Sequence, residues 1–148
     1  MLHENLKGRV AVVTGGGGVL CGGFAKDLAR QGVKVAVLDL REESANAVAD
    51  EIKAEGFEAI GVACNVLDKE SLENARNTIN EKIGTCDILI NGAGGNHPNG
   101  NTTKEKFELC DLTEKDEDVK TFFDLDPKGI EFVFNLNFLG TLLTTQVF

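Results

Sequence analysis

The sequence has no tyrosine, no tryptophan and only two prolines among its 148 residues. Cations are also scarce, with 15 lysines and arginines against 24 acidic residues and a net charge of −9. Nucleic acids and anionic membranes bind cationic surfaces, so this charge argues against both as partners. No apolar run reaches the roughly 18 residues that a membrane span needs. The polar first ten residues predict no signal peptide and hence a cytoplasmic protein.

Cysteine occurs four times, without a C-x-x-C pair, and the two histidines are not spaced with the cysteines as metal ligands. We therefore predict no metal site and reduced cysteines. Cys21 falls at a predicted helix N-terminus, where a thiolate is favoured. No base lies near it in the sequence, so we do not predict that it is catalytic.

Short apolar runs alternate with amphipathic stretches from the N-terminus to residue 91. This order predicts an α/β fold, a doubly wound parallel sheet of the Rossmann type with right-handed crossovers and strand order 3-2-1-4. We expect residues 1–148 to form one dinucleotide-binding domain. The predicted strands cover residues 10–13, 33–39, 57–64 and 87–91. The predicted helices cover residues 18–31, a stretch ending at Gly56, and a stretch capped by Asp68 and ending at Gly84.

The pattern changes after residue 91. Residues 95–126 are predicted to be an acidic loop insertion, with a short helix near residues 113–119 and a place suited to a lid over a substrate. Asp126 and Pro127 then predict a helix N-cap and its first residue. The following segment, GIEFVFNLNFLGTLLTTQVF, predicts a long helix that is apolar on nearly every side and needs cover on all faces.

Four glycines follow the first predicted strand and precede a helix. Glycines allow close backbone approach to a phosphate, and a helix N-terminus offers free N–H groups and a partial positive charge. The pattern indicates a nucleotide site at the switch point of the sheet. The alternative is a tight turn that binds nothing, although four consecutive glycines would destabilise such a turn entropically.

Asp39 ends the second predicted strand, about 20 residues beyond the glycines. An acid at this point accepts hydrogen bonds from ribose hydroxyls in dinucleotide sites and repels a 2′-phosphate. We therefore predict NAD rather than NADP as the cofactor. Arg41 leaves an alternative open, because it is able to attract a phosphate or stack on adenine.

These residues resemble the short-chain dehydrogenase/reductase family. Its Thr-Gly-x-x-x-Gly-x-Gly turn is matched by residues 14–21, where Val19 and Cys21 replace the second and third glycines. Gly17 and Gly18 are candidates for the close approach instead. The family's Asn-Asn-Ala-Gly motif is matched by residues 91–94, with glycine in place of the second asparagine. Its Asp-Val pair appears as residues 65–66, and its Asn-x-x-Gly motif as residues 137–140.

The resemblance implies a nucleotide site and one member of a catalytic set. Asn65 retains the ability to accept a hydrogen bond from adenine, and Asn137 is similar to the family's structural and proton-relay asparagine. The implied cofactor-binding residues are Thr14, Gly15, Gly17, Gly18, Val19, Leu20, Asp39, Leu40, Arg41, Asn65, Val66, Asn91, Gly92, Ala93 and Gly94, and the implied catalytic residue is Asn137.

The family's general acid/base is a tyrosine, supported by a lysine and a serine, and all three lie beyond the fourth helix. Because this chain has no tyrosine, we expect it to be the N-terminal part of a longer protein, inactive by itself. The resemblance implies that the intact protein oxidises a secondary alcohol or reduces a ketone and forms a dimer or tetramer. Three loops, TGGGGVLCGG, NGAGGNHP and TFFDLDP, are similar to the branch acting on small polar sugar acids such as D-mannonate.

Two other functions stay open. A nucleotide-binding module without catalysis fits the missing tyrosine, and a methyltransferase also has a glycine turn with an acid after its second strand. The methyltransferase reading leaves NGAG unexplained and lacks an acid entering the turn. His97, in the loop after the fourth strand, is either a contact to a substrate carboxylate or hydroxyl or a loop histidine without a role.

Overall fold

The computed structural model describes residues 3–113 and 118–148, and in it the four apolar runs form one parallel sheet. Its strand order is β3-β2-β1-β4, which confirms the predicted topology. Val12, in the central strand, lies opposite Ala36 on one side and Leu89 on the other. The strands are β1 (Val10–Thr14), β2 (Lys34–Asp39), β3 (Ala59–Ala63) and β4 (Ile88–Asn91), and the helices between them are α1 (Val19–Arg30), α2 (Glu42–Ala54) and α3 (Lys69–Lys82).

The helix ends follow the predicted signals. Asp68 caps α3, because its Oδ1 accepts hydrogen bonds from the N–H groups of Glu70 (3.0 Å) and Ser71 (3.3 Å). Gly56 follows α2 with φ +89°, a left-handed conformation that favours glycine and ends the helix. These local signals place each helix so that its N-terminus lies near the carboxyl end of the preceding strand.

The core consists of two apolar layers, one on each face of the sheet. Val13 and Val37 point to the layer formed with α1 and α2. Val12 and Leu38 point to the opposite layer, formed with α3 and the end of the last helix at Val147. Alternation within β1 and β2 therefore buries both faces, as expected of central strands in a parallel sheet.

Gly61 in β3 lies directly against the backbone of α2. A Cβ at this position would stand 2.7 Å from both the carbonyl carbon of Ala45 and the N atom of Asn46, and would also overlap Asn46 Oδ1. The first two atoms belong to helix backbone, so relief requires α2 to move as a whole. The absence of a side chain at Gly61 thus sets the distance between β3 and α2.

We expect Gly61→Ala to lower the free energy of unfolding by about 1–3 kcal/mol, the usual cost of overpacking. The matched control is Gly23→Ala in α1, where a Cβ meets nothing within 4 Å. That change replaces a helical glycine and should raise stability by about 0.5–1 kcal/mol. Urea denaturation of both variants measures the difference, and equal effects would contradict the packing argument.

After β4 the chain forms a long connection with two 3₁₀ turns, Leu109–Leu112 and Phe122–Asp124. The helix predicted near residues 113–119 falls largely on 114–117, outside the described residues. Asp126 caps the next helix by accepting from Lys128 N at 2.9 Å, with Pro127 at its first position, as predicted. This last helix runs as α4 (Pro127–Phe134), a π-helical turn (Asn135–Leu139) and α5 (Gly140–Val147).

The last helix is covered on one side within the described residues. Thr144 and Val147 are buried, and Val147 belongs to the layer around α3, whereas Phe134 and Phe138 are exposed. The expected cover on every face is therefore not supplied by the described part of this chain. None of the helices in residues 3–113 and 118–148 has both the length and the apolar character needed to cross a membrane.

Lys104 forms two ion pairs within the acidic connection after β4. Lys104 Nζ contacts Asp111 Oδ1 at 2.7 Å and Glu108 Oε2 at 2.9 Å, and these contacts raise the pKa of the Lys104 ammonium group. Glu108, Asp111 and Cys110 bring their ligand atoms close enough for a metal ion. Since the Lys104 ammonium group already pairs with both carboxylates, we interpret this group as an ion-paired cluster.

Candidate functional site

A cleft of about 480 Å³ lies at the carboxyl ends of the strands. This is the edge at which ligands bind in doubly wound sheets. Residues that follow all four strands meet there because parallel strands end at the same edge, and Leu136 of the last helix joins them. The lining residues are Gly15, Gly18, Val19, Leu20, Cys21, Leu38, Asp39, Leu40, Arg41, Cys64, Asn65, Val66, Gly92, Ala93, Gly94 and Leu136.

The side chain of Thr14 joins the end of β1 to the end of β4 by hydrogen bonds beneath the cleft. Its Oγ1 accepts hydrogen bonds from the N–H groups of Gly92 and Ala93, both at 3.1 Å, and donates to the carbonyl of Ile90 at 3.5 Å. The side chain is buried, with the residue only 1% exposed. Thr14 therefore supports the floor of the cleft without lining it.

The glycine turn brings its backbone close to the loop after β4. Gly15 has φ +64°, and a Cβ on it would stand 2.8 Å from the carbonyl oxygen of Gly92. Gly16 N donates to the carbonyl of Leu38 at 2.9 Å, which joins the turn to β2. A side chain at Gly15 would be strained by conformation and blocked by backbone, so glycine is required there.

The N-terminus of α1 opens towards the cleft. Its N-cap is Gly18, which has no side chain to cap the helix, and its first turn carries no acidic residue. By contrast, α2 has Glu42 and Glu43 in its first turn, and α3 is capped by Asp68. The N–H groups and partial positive charge of α1 are thus available to an anion.

Asp39 holds its carboxylate beside the glycine turn. Its Oδ2 accepts from Gly17 N and its Oδ1 from Arg41 N, both at 3.1 Å. Gly17 fits only without a side chain, since a Cβ would stand 2.6 Å from Ser44 Cβ and 2.8 Å from Asp39 Oδ2. The turn therefore fixes the direction of the Asp39 carboxylate at the edge of the cleft.

Apolar side chains stand exposed at the mouth of the cleft. Val19 is 98% exposed and Leu40 is 72% exposed, and Leu20 is exposed as well. All three line the cleft. Large apolar side chains grouped around a concave polar site are typical of a surface that a ligand covers.

The far wall is formed after β3. Asn65 Oδ1 accepts from Leu67 N at 3.0 Å, which leaves one lone pair of this oxygen for a further donor. Val66 is buried, and its Cγ2 would stand 2.9 Å from a Cβ on Gly140. Close packing against the start of α5 thus holds this wall in place.

Asn137 lies in the π-helical turn and clamps the loop after β4. Its Nδ2 donates to the carbonyls of Gly95 (2.7 Å) and Val133 (2.8 Å), while its Oδ1 accepts from Gly95 N at 3.1 Å. A Cβ on Gly94 would stand 2.6 Å from Asn137 Oδ1. π-Helical turns are frequent at functional sites, and this one brings a carboxamide to the cleft loop.

A family model described as short chain dehydrogenase matches residues 9–148. The chain belongs to the short chain dehydrogenase family. The match runs from β1 to the last residue of the chain and includes the acidic connection, whereas the sequence motifs that carry the resemblance lie outside that connection.

Two curated relatives are similar to almost all of this chain. It is 51% identical over 146 residues to an uncharacterized oxidoreductase of Haemophilus influenzae, covering 99% of this chain and 50% of the relative. It is 50% identical over 147 residues to the uncharacterized oxidoreductase UxuB of Bacillus subtilis, covering 99% and 51%. The chain thus spans about half the length of the curated relatives it matches.

A crystal structure from Haemophilus influenza shares the fold, with a TM-score of 0.89 and 50% sequence identity. The match covers 97% of this chain and 50% of the other. That protein is provisionally identified as a D-mannonate oxidoreductase and was solved with bound NAD.

Most of the residues predicted to bind a cofactor line the cleft. Thr14 and Gly17 lie behind it. Asn91 also lies outside the lining, and its Nδ2 donates to Thr145 Oγ1 in α5 at 3.1 Å. Asn137 reaches the site through Gly95. Contact of any of these residues with a nucleotide stays a prediction.

Four lining residues were not predicted as site residues: Cys21, Leu38, Cys64 and Leu136. Leu38, Cys64 and Leu136 each directly precede a residue that was predicted to belong to the site. This position next to a predicted site residue was the signal in the sequence that could have identified them. Cys21 was considered for a thiolate. Burial raises the pKa of the Cys21 thiol, so the expectation of a favoured thiolate is wrong.

Proposed function

We propose that the intact protein containing this chain is an NAD-dependent oxidoreductase acting on the secondary alcohol or ketone of a small polar sugar acid, such as D-mannonate or fructuronate. The observation that carries the proposal is the open N-terminus of α1 beside the carboxylate of Asp39. One attracts an anionic pyrophosphate, and the other accepts hydrogen bonds from ribose hydroxyls.

The residues present fit a dinucleotide along the whole cleft. The glycine turn and the first turn of α1 would hold the pyrophosphate, and Asp39 would hold the adenosine ribose. Leu40, Asn65 and Val66 would enclose the adenine. The loop at Gly92–Gly94 would lie beneath the nicotinamide, at the other end of the cleft.

When bound, NAD supplies a carbon that accepts or returns a hydride. The chain's own residues bind and orient. Thr14 and Asn137 fix the loop after β4 from two sides, Thr14 through the N–H groups of Gly92 and Ala93 and Asn137 through Gly95. The proton would be moved by a tyrosine outside these 148 residues, so this chain would supply the cofactor half of the enzyme.

Support for a sugar acid comes from the Haemophilus structure and from the loop sequences. The 50% identity extends over almost the whole chain, which favours a shared substrate class. We also propose that the intact protein is cytoplasmic, in line with the free cysteines among the described residues, and that it forms a dimer or tetramer, as the family resemblance implies.

His97 is a candidate contact to the carboxylate or a hydroxyl of that substrate. Its Nδ1 accepts from Asn99 N at 3.1 Å, which leaves the proton on Nε2 and makes Nε2–H a donor. Its ring lies 5.2 Å from that of Phe132. The neighbouring Asn99 is held by Lys120 Nζ at 2.7 Å, so the imidazole has a defined place.

We expect His97→Ala in the intact protein to raise KM for the sugar acid at least tenfold, since a hydrogen bond to a charged group is worth about 1.5–3 kcal/mol. The Kd for NAD should not change. Asn96→Ala, in the adjacent exposed position, is the control. Unchanged KM and kcat in His97→Ala would show that the histidine has no role in substrate binding.

Calorimetric titration of NAD and NADP into the intact protein, followed by assays with D-mannonate and fructuronate, tests the proposed function. We expect NAD binding and NAD-dependent turnover of the sugar acid. NAD binding without turnover of any secondary alcohol would favour a nucleotide-binding module without catalysis. Failure to bind either nucleotide would overturn the proposal.

A further inference from the structure

The sulfur of Cys21 occupies the space that a side chain at Gly92 would need. Cys21 lies in the first turn of α1, and Gly92 follows β4 directly. A Cβ atom built on Gly92 overlaps the Cys21 sulfur and lies 3.4 Å from the Cys21 Cβ. The two positions therefore have room for one side chain between them, and Cys21 supplies it.

Gly92 is exposed to solvent, but two further contacts hold its backbone. Its N–H donates to Thr14 Oγ1 at 3.1 Å, and its Cβ position lies 2.8 Å from the carbonyl oxygen of Thr14. On the other side, its own carbonyl oxygen lies 2.8 Å from the Cβ position of Gly15. The loop after β4 is thus held between the glycine turn and α1, and the side chain at position 21 fixes how closely α1 approaches.

The two positions depart from the family pattern in opposite ways. The pattern has glycine where this chain has Cys21, and asparagine where it has Gly92. One departure adds a side chain to the helix, and the other removes a side chain from the loop facing it. The missing side chain at Gly92 therefore makes room for the sulfur of Cys21.

We propose that Cys21 is a positioning residue of the nucleotide site, whose side chain sets the spacing between the N-terminus of α1 and the Gly92–Gly94 loop, with Gly92 as its obligatory partner. The proposal rests on the proposed nucleotide binding. Both sides of this contact line the cleft, so the spacing sets its width where a dinucleotide would pass from the pyrophosphate to the nicotinamide. The raised pKa of the thiol is consistent with a packed neutral group.

The test is a double-mutant cycle in the intact protein, with the Kd for NAD and the unfolding temperature measured for each variant. We expect Gly92→Ala to weaken NAD binding at least tenfold, because its methyl group pushes α1 and the loop apart. In a Cys21→Ala background, which removes the sulfur, the loss of NAD affinity caused by Gly92→Ala should be at least threefold smaller than in the wild type, and the remaining loss reflects the Thr14 carbonyl oxygen, 2.8 Å from the Cβ position. Cys21→Ser preserves the occupied space and should stay within threefold of the wild type.

Gly23→Ala is the matched background, since it lies in the same helix with open space around it. In the Gly23→Ala background, Gly92→Ala should still raise the Kd for NAD at least tenfold. An equal cost of Gly92→Ala in all backgrounds, with NAD bound by the wild type, overturns this proposal alone. So does a cycle in which only the unfolding temperatures change and the Kd does not. Absence of NAD binding by the wild type overturns the proposed function and this proposal together.

Discussion

Replacing Asp39 with asparagine should bring the affinities of the intact protein for NADP and NAD close together. In the wild type, the Asp39 carboxylate should repel a 2′-phosphate by roughly 1 kcal/mol if the pair is fully hydrated and about 4 kcal/mol at a partly buried site. That corresponds to about fivefold to a thousandfold preference for NAD. Asp39 is half-buried, which favours the larger half of this range.

Asparagine has nearly the same size as aspartate and keeps one acceptor oxygen. Asp39→Asn can therefore still accept from Gly17 N or from Arg41 N, both of which the aspartate engages at 3.1 Å, so the change removes the charge and only one of the two hydrogen bonds. Arg41→Ala is the companion variant, because it removes the cation that competes for a phosphate. Calorimetric titration of both nucleotides gives the ratio of Kd values. A wild type that binds NADP more tightly than NAD, or an unchanged ratio in Asp39→Asn, would contradict this assignment.

Replacing Thr14 with valine should destabilise the intact protein by about 1–3 kcal/mol, because two part-buried hydrogen bonds, each worth about 0.5–1.5 kcal/mol, lose their acceptor. The donors are the N–H groups of Gly92 and Ala93. Valine has almost the shape of threonine, so the loss reflects hydrogen bonding and not packing. Binding of NAD should weaken as well, since these N–H groups hold the floor of the cleft.

Thr14→Ser is the control, because serine retains the hydroxyl and removes only a methyl group. We expect serine to cost about 1 kcal/mol from lost apolar burial and the small space left behind. Urea denaturation at constant pH, with and without NAD, measures both variants. If valine is tolerated as well as serine, the hydroxyl does not hold the β4 loop.

The strands could be predicted because burial leaves a recognisable apolar pattern in the sequence. Their order followed from the alternation of strands and helices. Residues 10–13 and 35–38 are continuous apolar runs, since both faces of β1 and β2 are covered. Gly56 and Asp68 mark helix boundaries. The place of Asp39 was predictable from spacing alone. In a parallel sheet, the last residue of each strand lies at the same edge, where ligands bind.

Contacts between distant segments could not be predicted in the same way. Cys21 was interpreted from its helix N-terminus, which favours a thiolate, whereas its burial depends on the loop at Gly92. The π-helical turn around Asn137 was also missed, because one extra residue in a turn does not disturb an apolar pattern that covers nearly every side of the helix. Residues 95–126 carry little periodicity, so their 3₁₀ turns left no signal.

The Thr14 hydroxyl joins segments that are 76 to 79 residues apart in the chain. Bringing such distant segments together carries a loop-closure entropy cost, which the pairing of β1 with β4 and the packing of the core offset. The cleft consequently depends on contacts between segments that are far apart in the sequence. A nucleotide that binds only there stabilises the folded state by about 2.7 kcal/mol at a concentration one hundred times its Kd. The concentration of nucleotide in the cell would then affect the amount of folded protein as well as its catalytic rate.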